Sequence, residues 1–153
     1  MPVFGGLDAD SIGLLLERAR EVSVPTGEHF FREGDNGQSA FVLEHGRVAI
    51  VKSRDGENCF VRHLETGDIF GEVALMDFFP RSASVVATED CRALELGAGD
   101  LLELANKDLE HFSLVYMNIA RELARRLRTA DDLLFQARIR HADIAEDYAF
   151  RST

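Results

Sequence analysis

The chain has 153 residues, 46% of them hydrophobic and 29% charged, a length and balance that fit one globular domain with a single sizeable core and exclude disordered and collagen-like classes. Seventeen Lys and Arg against 27 Asp and Glu leave a net charge of -10, so the surface repels polyphosphate backbones and no direct DNA binding is expected. The longest apolar runs, such as Val48-Ala49-Ile50-Val51, fall far short of the roughly 18 residues a membrane span needs, and Met1-Pro2-Val3-Phe4 starts no signal peptide, which together predict a cytoplasmic protein with no membrane partner.

In chain order, Asp8-Ala9-Asp10-Ser11 is expected to cap a short helix carrying Ile12, Leu15 and Leu16. Turn signals then recur about every ten residues: Pro25-Thr26-Gly27, Gly34-Asp35-Asn36-Gly37, His45-Gly46, Asp55-Gly56 and Gly67-Asp68. That rhythm predicts many short strands in a sandwich or barrel. The β-rich runs between the turns are 41–43, 48–51, 59–64, 85–87 and 93–96, and most are interrupted by polar residues, as half-buried antiparallel strands are. Gly99-Asp100 is expected to cap a helix beginning at Leu101.

A long helix is predicted from Glu110 to about Ile139, a stretch without Gly or Pro. Within it Tyr116, Ala120, Leu123, Leu127, Ala130, Leu134 and Ala137 alternate spacings of four and three, the a and d pattern of a coiled-coil seam. Between Arg121 and Arg140 six arginines face three acidic residues, a net +3 in a chain of -10. Such a stretch reads first as a solvated helix whose arginines pair with the acidic barrel surface, and second as a partner site. Residues 141–153 are expected to form a short tail, too few for another domain.

Cys59 and Cys91 stand apart from each other and from any histidine at metal spacing, and read as buried thiols of a reducing compartment. His29, His45, His63, His111 and His141 are dispersed, with no H-x-H or H-x-x-x-H pair, so no metal site is expected. His141-Ala142-Asp143 with Glu146 and Asp147 reads as solvated tail. No local nucleophile signature is present, and the chain is not expected to be an enzyme.

The segment richest in chemistry runs from Asp68 to Val85, where a strand ends in Gly71 and a brief helical turn precedes Pro80-Arg81-Ser82-Ala83. A glycine-led helical N-terminus offers free N–H groups to an anionic oxygen. Arg81 supplies an opposing cation, Ser82 a hydroxyl beside it, and Glu72 an acceptor for a sugar hydroxyl. One sugar and one singly charged phosphate satisfy the set.

Here the sequence resembles the cyclic nucleotide-binding domain family, found in the catabolite activator protein and in protein kinase A regulatory subunits, over roughly residues 4 to 140. The family's phosphate-binding cassette is matched by Phe70-Gly71-Glu72, Ala74-Leu75 and Arg81-Ser82-Ala83, and its Gly-Asp-x-Gly pattern by Gly34-Asp35-Asn36-Gly37, Phe41-Val42-Leu43 and Gly46, with Ala40 smaller than usual. The resemblance implies a ligand site of Phe70, Gly71, Glu72, Val73, Ala74, Arg81, Ser82 and Ala83. In it Glu72 accepts the ribose 2′-hydroxyl, Arg81 pairs with an exocyclic phosphate oxygen, and Gly71 and Ala74 add backbone contacts. Ser82 leans the ligand to cAMP, with cGMP open. Aligning Ala124-Arg125-Arg126-Leu127 puts Ala130 and Asp131 where the catabolite activator protein caps its adenine with a Thr-Ser pair, so the base-capping residue stays open.

The expected fold is therefore α+β, mainly β: a double-stranded β-helix (jelly-roll) of about eight strands, with short N-terminal helices and a long C-terminal helix. The domain is expected over 1–140, with the β-roll at about 22–97, the C-terminal helices at about 99–140 and the tail at 141–153. The expected function is a cyclic nucleotide-binding regulatory domain without metal. Ligand contact draws the cassette inward, and Leu75 or Met76 passes the shift to the C-terminal helix. With no helix-turn-helix expected to follow, the output goes to a homodimer through the 110–139 helix or to an unknown protein partner. Open alternatives are a structural Glu72–Arg81 ion pair in a nucleotide-free dimerisation module of the same fold, and a small jelly-roll enzyme.

Overall fold

The computed structural model describes residues 4–6 and 8–149, with the side chains of Ser11 and 142–149 outside the description. Met1-Pro2-Val3 and the end of the expected tail, 150–153, lie outside the described residues. The chain divides into two units, one ending at Asn118 and one beginning at Ile119. The first holds helix α1 (Ala9–Arg18), strands β1 (Arg20–Val24), β2 (His29–Phe31), β3 (Ser39–His45), β4 (Arg47–Arg54), β5 (Glu57–Glu65) and β6 (Ile69–Phe70), and the short helix α2 (Val73–Asp77). β7 (Ser84–Ala87), β8 (Cys91–Gly97) and α3 (Ala98–Lys107) follow, and α4 (Leu109–Ala149) runs from the first unit into the second.

The strands form two antiparallel four-stranded sheets, ordered β1-β8-β3-β6 and β2-β7-β4-β5. This is the mainly β jelly-roll that the resemblance implies, built of the short strands that the turn rhythm predicts, with the long helix C-terminal to it. Every strand-rich run lies inside an observed strand. β1, β2 and β6 lie outside the expected runs; β2 and β6, with three and two residues, are too short to show a period of two.

The core between the sheets joins Phe41, Leu43, Val48, Phe70, Val85 and Ala93, with Phe30 and Phe31 packed against it. The expectation of half-buried strands fails for β3, in which Ala40, Phe41, Val42 and Leu43 are all buried. Alternation sends Phe41 and Leu43 into the core and Ala40 and Val42 to the opposite face. On β8 Cys91 and Ala93 share the core, while Leu94 and Leu96 are buried on the other side, where α1 and α3 pack on the strand and on each other.

Cys91 is buried as expected, but Cys59 is exposed. It stands on β5, the edge strand of its sheet, whose first five residues are all exposed. The cap of α3 also differs: its N-cap is Gly97, and Asp100 Oδ2 accepts from the Gly97 N–H at 2.8 Å. Asp100 thus acts from the third helical position rather than before the first. The long helix continues ten residues past Ile139, to Ala149, because nothing between 140 and 149 is Gly or Pro and alanines recur there. Most of the expected tail is helix.

Asp108 joins α3 to α4. Its N–H donates to Leu104 O at 2.7 Å, closing α3, and its Oδ1 accepts from the His111 N–H at 3.2 Å, opening α4. Asp108 Oδ2 also binds His111 Nδ1, while His111 Nε2 stands 3.3 Å from Asp8 Oδ2 at the start of α1. The hydrogen bond to Asp108 raises the His111 pKa above 6.5, with the charges of Asp108, Asp8 and Glu110 adding to it against desolvation. The same bond holds the Asp108 carboxyl below its ordinary value. A raised histidine stabilises the fold fully below about pH 6.5 and loses that contribution as the pH rises through the folded value. His111→Gln is therefore expected to lower the urea midpoint more at pH 6 than at pH 9, and an equal loss at both would refute the pairing as a source of stability.

Candidate functional site

The centre of the site is Arg81, whose side chain is buried although nothing in the apolar core calls for a cation there. The residue is 6% exposed. Its position is set first by backbone: Arg81 N–H donates to Asp35 O, and Gly34 N–H donates to Arg81 O, each at 2.8 Å. The Gly34-Asp35-Asn36-Gly37 turn thus holds the site's main cation in place. The guanidinium then donates from Nη1 to Ser39 O at 2.7 Å and to Gly71 O at 3.0 Å, and from Nη2 to Ser39 Oγ at 3.2 Å. Its carbon lies 4.1 Å from the centroid of the Phe31 ring, a cation–π contact.

Two glycines make room for this group. A Cβ on Gly37 would stand 2.7 Å from Arg81 Nη2, and one on Gly71 would stand 2.7 Å from Nη1. Gly71 also has φ of +79°, a left-handed conformation that turns its carbonyl toward the guanidinium and disfavours any side chain. Phe31, in turn, is fixed by the aromatic group around it. Phe41 and Phe70 stack with centroids 5.3 Å apart, and Phe31 leans on both.

All acceptors of the Arg81 guanidinium are neutral, and among the described residues it makes no ion pair. Desolvation lowers the Arg81 pKa, while Glu95, then Asp35 and Glu72, act at longer range to keep it charged. An arginine in this state has its charge solvated by dipoles and not cancelled, which is what a site for a single anionic oxygen requires.

The other expected site residues divide by what they present. Glu72 is 2% exposed, and its carbonyl accepts from the Leu75 N–H at 3.0 Å as α2 begins. Phe70 and Ala74 are buried, Phe70 within the core cluster. Val73 and Ser82 are exposed and Ala83 is half-buried. α2 has only five residues, so it offers N–H groups but little helix dipole. Leu75, the expected transmitter, is buried, and Met76 is half-buried. Ser39, Phe31 and Glu95 escaped the sequence reading, because neither spacing nor composition marks a residue whose role depends on a neighbour 42 positions away. Among the described residues no group of three or more metal-ligating side chains gathers, and no helix is long and apolar enough to cross a membrane.

Residues 21–108 match the family model described as cyclic nucleotide-binding domain. The chain is 37% identical over 131 residues to the cyclic AMP receptor protein of Thermus thermophilus, an alignment covering 85% of this chain and 59% of that protein. It is 37% identical over 89 residues to a cAMP-dependent protein kinase regulatory subunit of Yarrowia lipolytica, covering 58% of this chain and 23% of that one. The crystal structure of the Thermus thermophilus catabolite activator protein superposes with a TM-score of 0.79 at 36% identity, over 90% of this chain and 63% of that one. The chain thus spans about three fifths of the bacterial relatives' length.

The glycine argument has a direct test. Gly71→Ala is expected to destabilise the protein by about 1–3 kcal/mol, the usual cost of a left-handed non-glycine residue, measured by urea unfolding. Gly37→Ala, which meets only the far end of a side chain, is expected to cost less. Equal losses would show that the left-handed backbone of Gly71 is not what demands glycine.

Proposed function

This chain belongs to the cyclic nucleotide-binding domain family, and on that premise we propose that it is a non-catalytic sensor that takes up cAMP on the cassette and passes its occupancy to α4. Arg81 holds the phosphate, Glu72 accepts the ribose 2′-hydroxyl, and Gly71, Val73, Ala74, Ser82 and Ala83 line the ligand through backbone or small side chains. The observation that carries the reading is the buried Arg81 guanidinium held by neutral acceptors alone. It suits a ligand with one negative charge. The names of the bacterial and fungal relatives favour cAMP over cGMP.

Titration calorimetry on nucleotide-stripped protein with cAMP and cGMP tests the ligand. Arg81→Ala is expected to weaken cAMP binding by about 1.5–3 kcal/mol, roughly ten- to a hundredfold, the range for a charge-assisted hydrogen bond. Glu72→Gln is expected to cost affinity for cAMP but little for its 2′-deoxy analogue, which lacks the hydroxyl. Equal losses for both ligands would remove Glu72 from the sugar.

The output proposed is a parallel homodimer along the seam of α4. Leu127 and Leu134 of that seam are 62% and 53% exposed, and exposed leucines at heptad spacing favour a second helix as their cover. Sedimentation is expected to show a dimer, and Leu127→Glu with Leu134→Glu a folded monomer. A wild-type monomer at high micromolar concentration, with and without cAMP, would remove the dimer.

A further inference from the structure

We propose that Ser39 and Glu95 are positioning residues that orient the Arg81 guanidinium toward an anionic ligand oxygen. The inference rests on the reading of Arg81 as the phosphate-holding cation. Glu95 on β8 is directly opposite Phe41 on β3 and Arg20 on β1. Opposed residues of antiparallel strands share a face, and Phe41 belongs to the core. The Glu95 carboxylate is thus aimed at the inner side of the sheet, a position where alternation calls for an apolar residue.

Its contacts explain why a carboxylate stands there. Glu95 Oε2 accepts from the Ser39 hydroxyl at 2.8 Å, and Oε1 pairs with Arg20 Nη2. Ser39 has a single hydroxyl proton, so donating it to Glu95 turns the oxygen's lone pairs to other donors. Arg81 Nη2 meets that oxygen at 3.2 Å, while Nη1 meets the carbonyl of the same serine at 2.7 Å. Ser39 therefore grips both ends of the guanidinium fork, and Glu95 decides which way the hydroxyl points. Glu95 is also foremost among the charges that oppose the loss of Arg81's proton on burial. With the fork's plane set by Ser39 and its face set by Phe31, only one orientation is left to it.

The test compares cAMP with adenosine, which shares the base and sugar but has no phosphate, in binding to wild type, Ser39→Ala, Ser39→Thr, Glu95→Gln, Arg81→Ala and the Ser39→Ala/Arg81→Ala pair. Ser39→Ala is expected to weaken cAMP binding about tenfold, the scale of one hydrogen bond to a charged group, with adenosine unchanged. Ser39→Thr, which keeps the hydroxyl, is expected to restore binding, and Glu95→Gln to lose part of it. In the Arg81→Ala background Ser39→Ala is expected to add nothing. Unchanged cAMP affinity in Ser39→Ala, equal losses for both ligands, or additive losses with Arg81→Ala would overturn the proposal. If wild type binds neither cAMP nor cGMP, the cyclic-nucleotide reading fails by itself. The ligand-free crystal structure of Ser39→Ala then decides the positioning role: a guanidinium displaced from the Phe31 ring upholds it, and one left in place overturns it.

Discussion

A guanidinium held at the edge of an apolar core, with no carboxylate in contact, governs how this domain is built. Removing such a charge from water is costly unless each donor finds an acceptor. Here the acceptors are main-chain carbonyls of Ser39 and Gly71 and the Ser39 hydroxyl. Each belongs to an element whose place is set by something else: Ser39 by the pairing of β3 with β8, Gly71 by the end of β6 beside β3. The cation is therefore a meeting point of two separate parts of the chain besides its own. Its backbone ties in another, the turn at 34–37.

The aromatic cluster beneath is the counterpart of this arrangement. Phe30, Phe31, Phe41 and Phe70 come from β2, β3 and β6, and their edge-to-face and stacked contacts fix the rings in place. Phe31 uses its face for Arg81 while packing against the core. Packing and ligand chemistry thus share side chains. The two strands too short to be foreseen, β2 and β6, deliver one wall of the site.

Charge is segregated along the chain. The 121–140 segment carries +3 and the rest of the chain -13. Within α4, Arg125 and Arg126 both bind Glu122, pairs at i,i+3 and i,i+4 of the kind worth only a few tenths of a kcal/mol when exposed. They support the helix locally and leave the apolar seam as its distinctive surface. A binding site made of one buried cation in an acidic molecule draws its affinity from contact geometry more than from long-range attraction.

What was legible in the residues was whatever depends on local chemistry. Gly at the turns marked strand ends because few other residues adopt their conformations, and an unbroken run without Gly or Pro marked α4. Phe70-Gly71-Glu72 and Arg81-Ser82-Ala83 stood out because a cassette is contiguous in the chain. The exposure of Cys59 and the burial of β3 on both faces depended on which strand lies at an edge and which at the centre. Sequence period cannot order strands in a sheet. The surroundings of Arg81 were hidden for the same reason: Ser39 and Glu95 are 56 residues apart, and only the antiparallel register of β3 on β8 brings the Glu95 carboxylate to the Ser39 hydroxyl that meets the guanidinium.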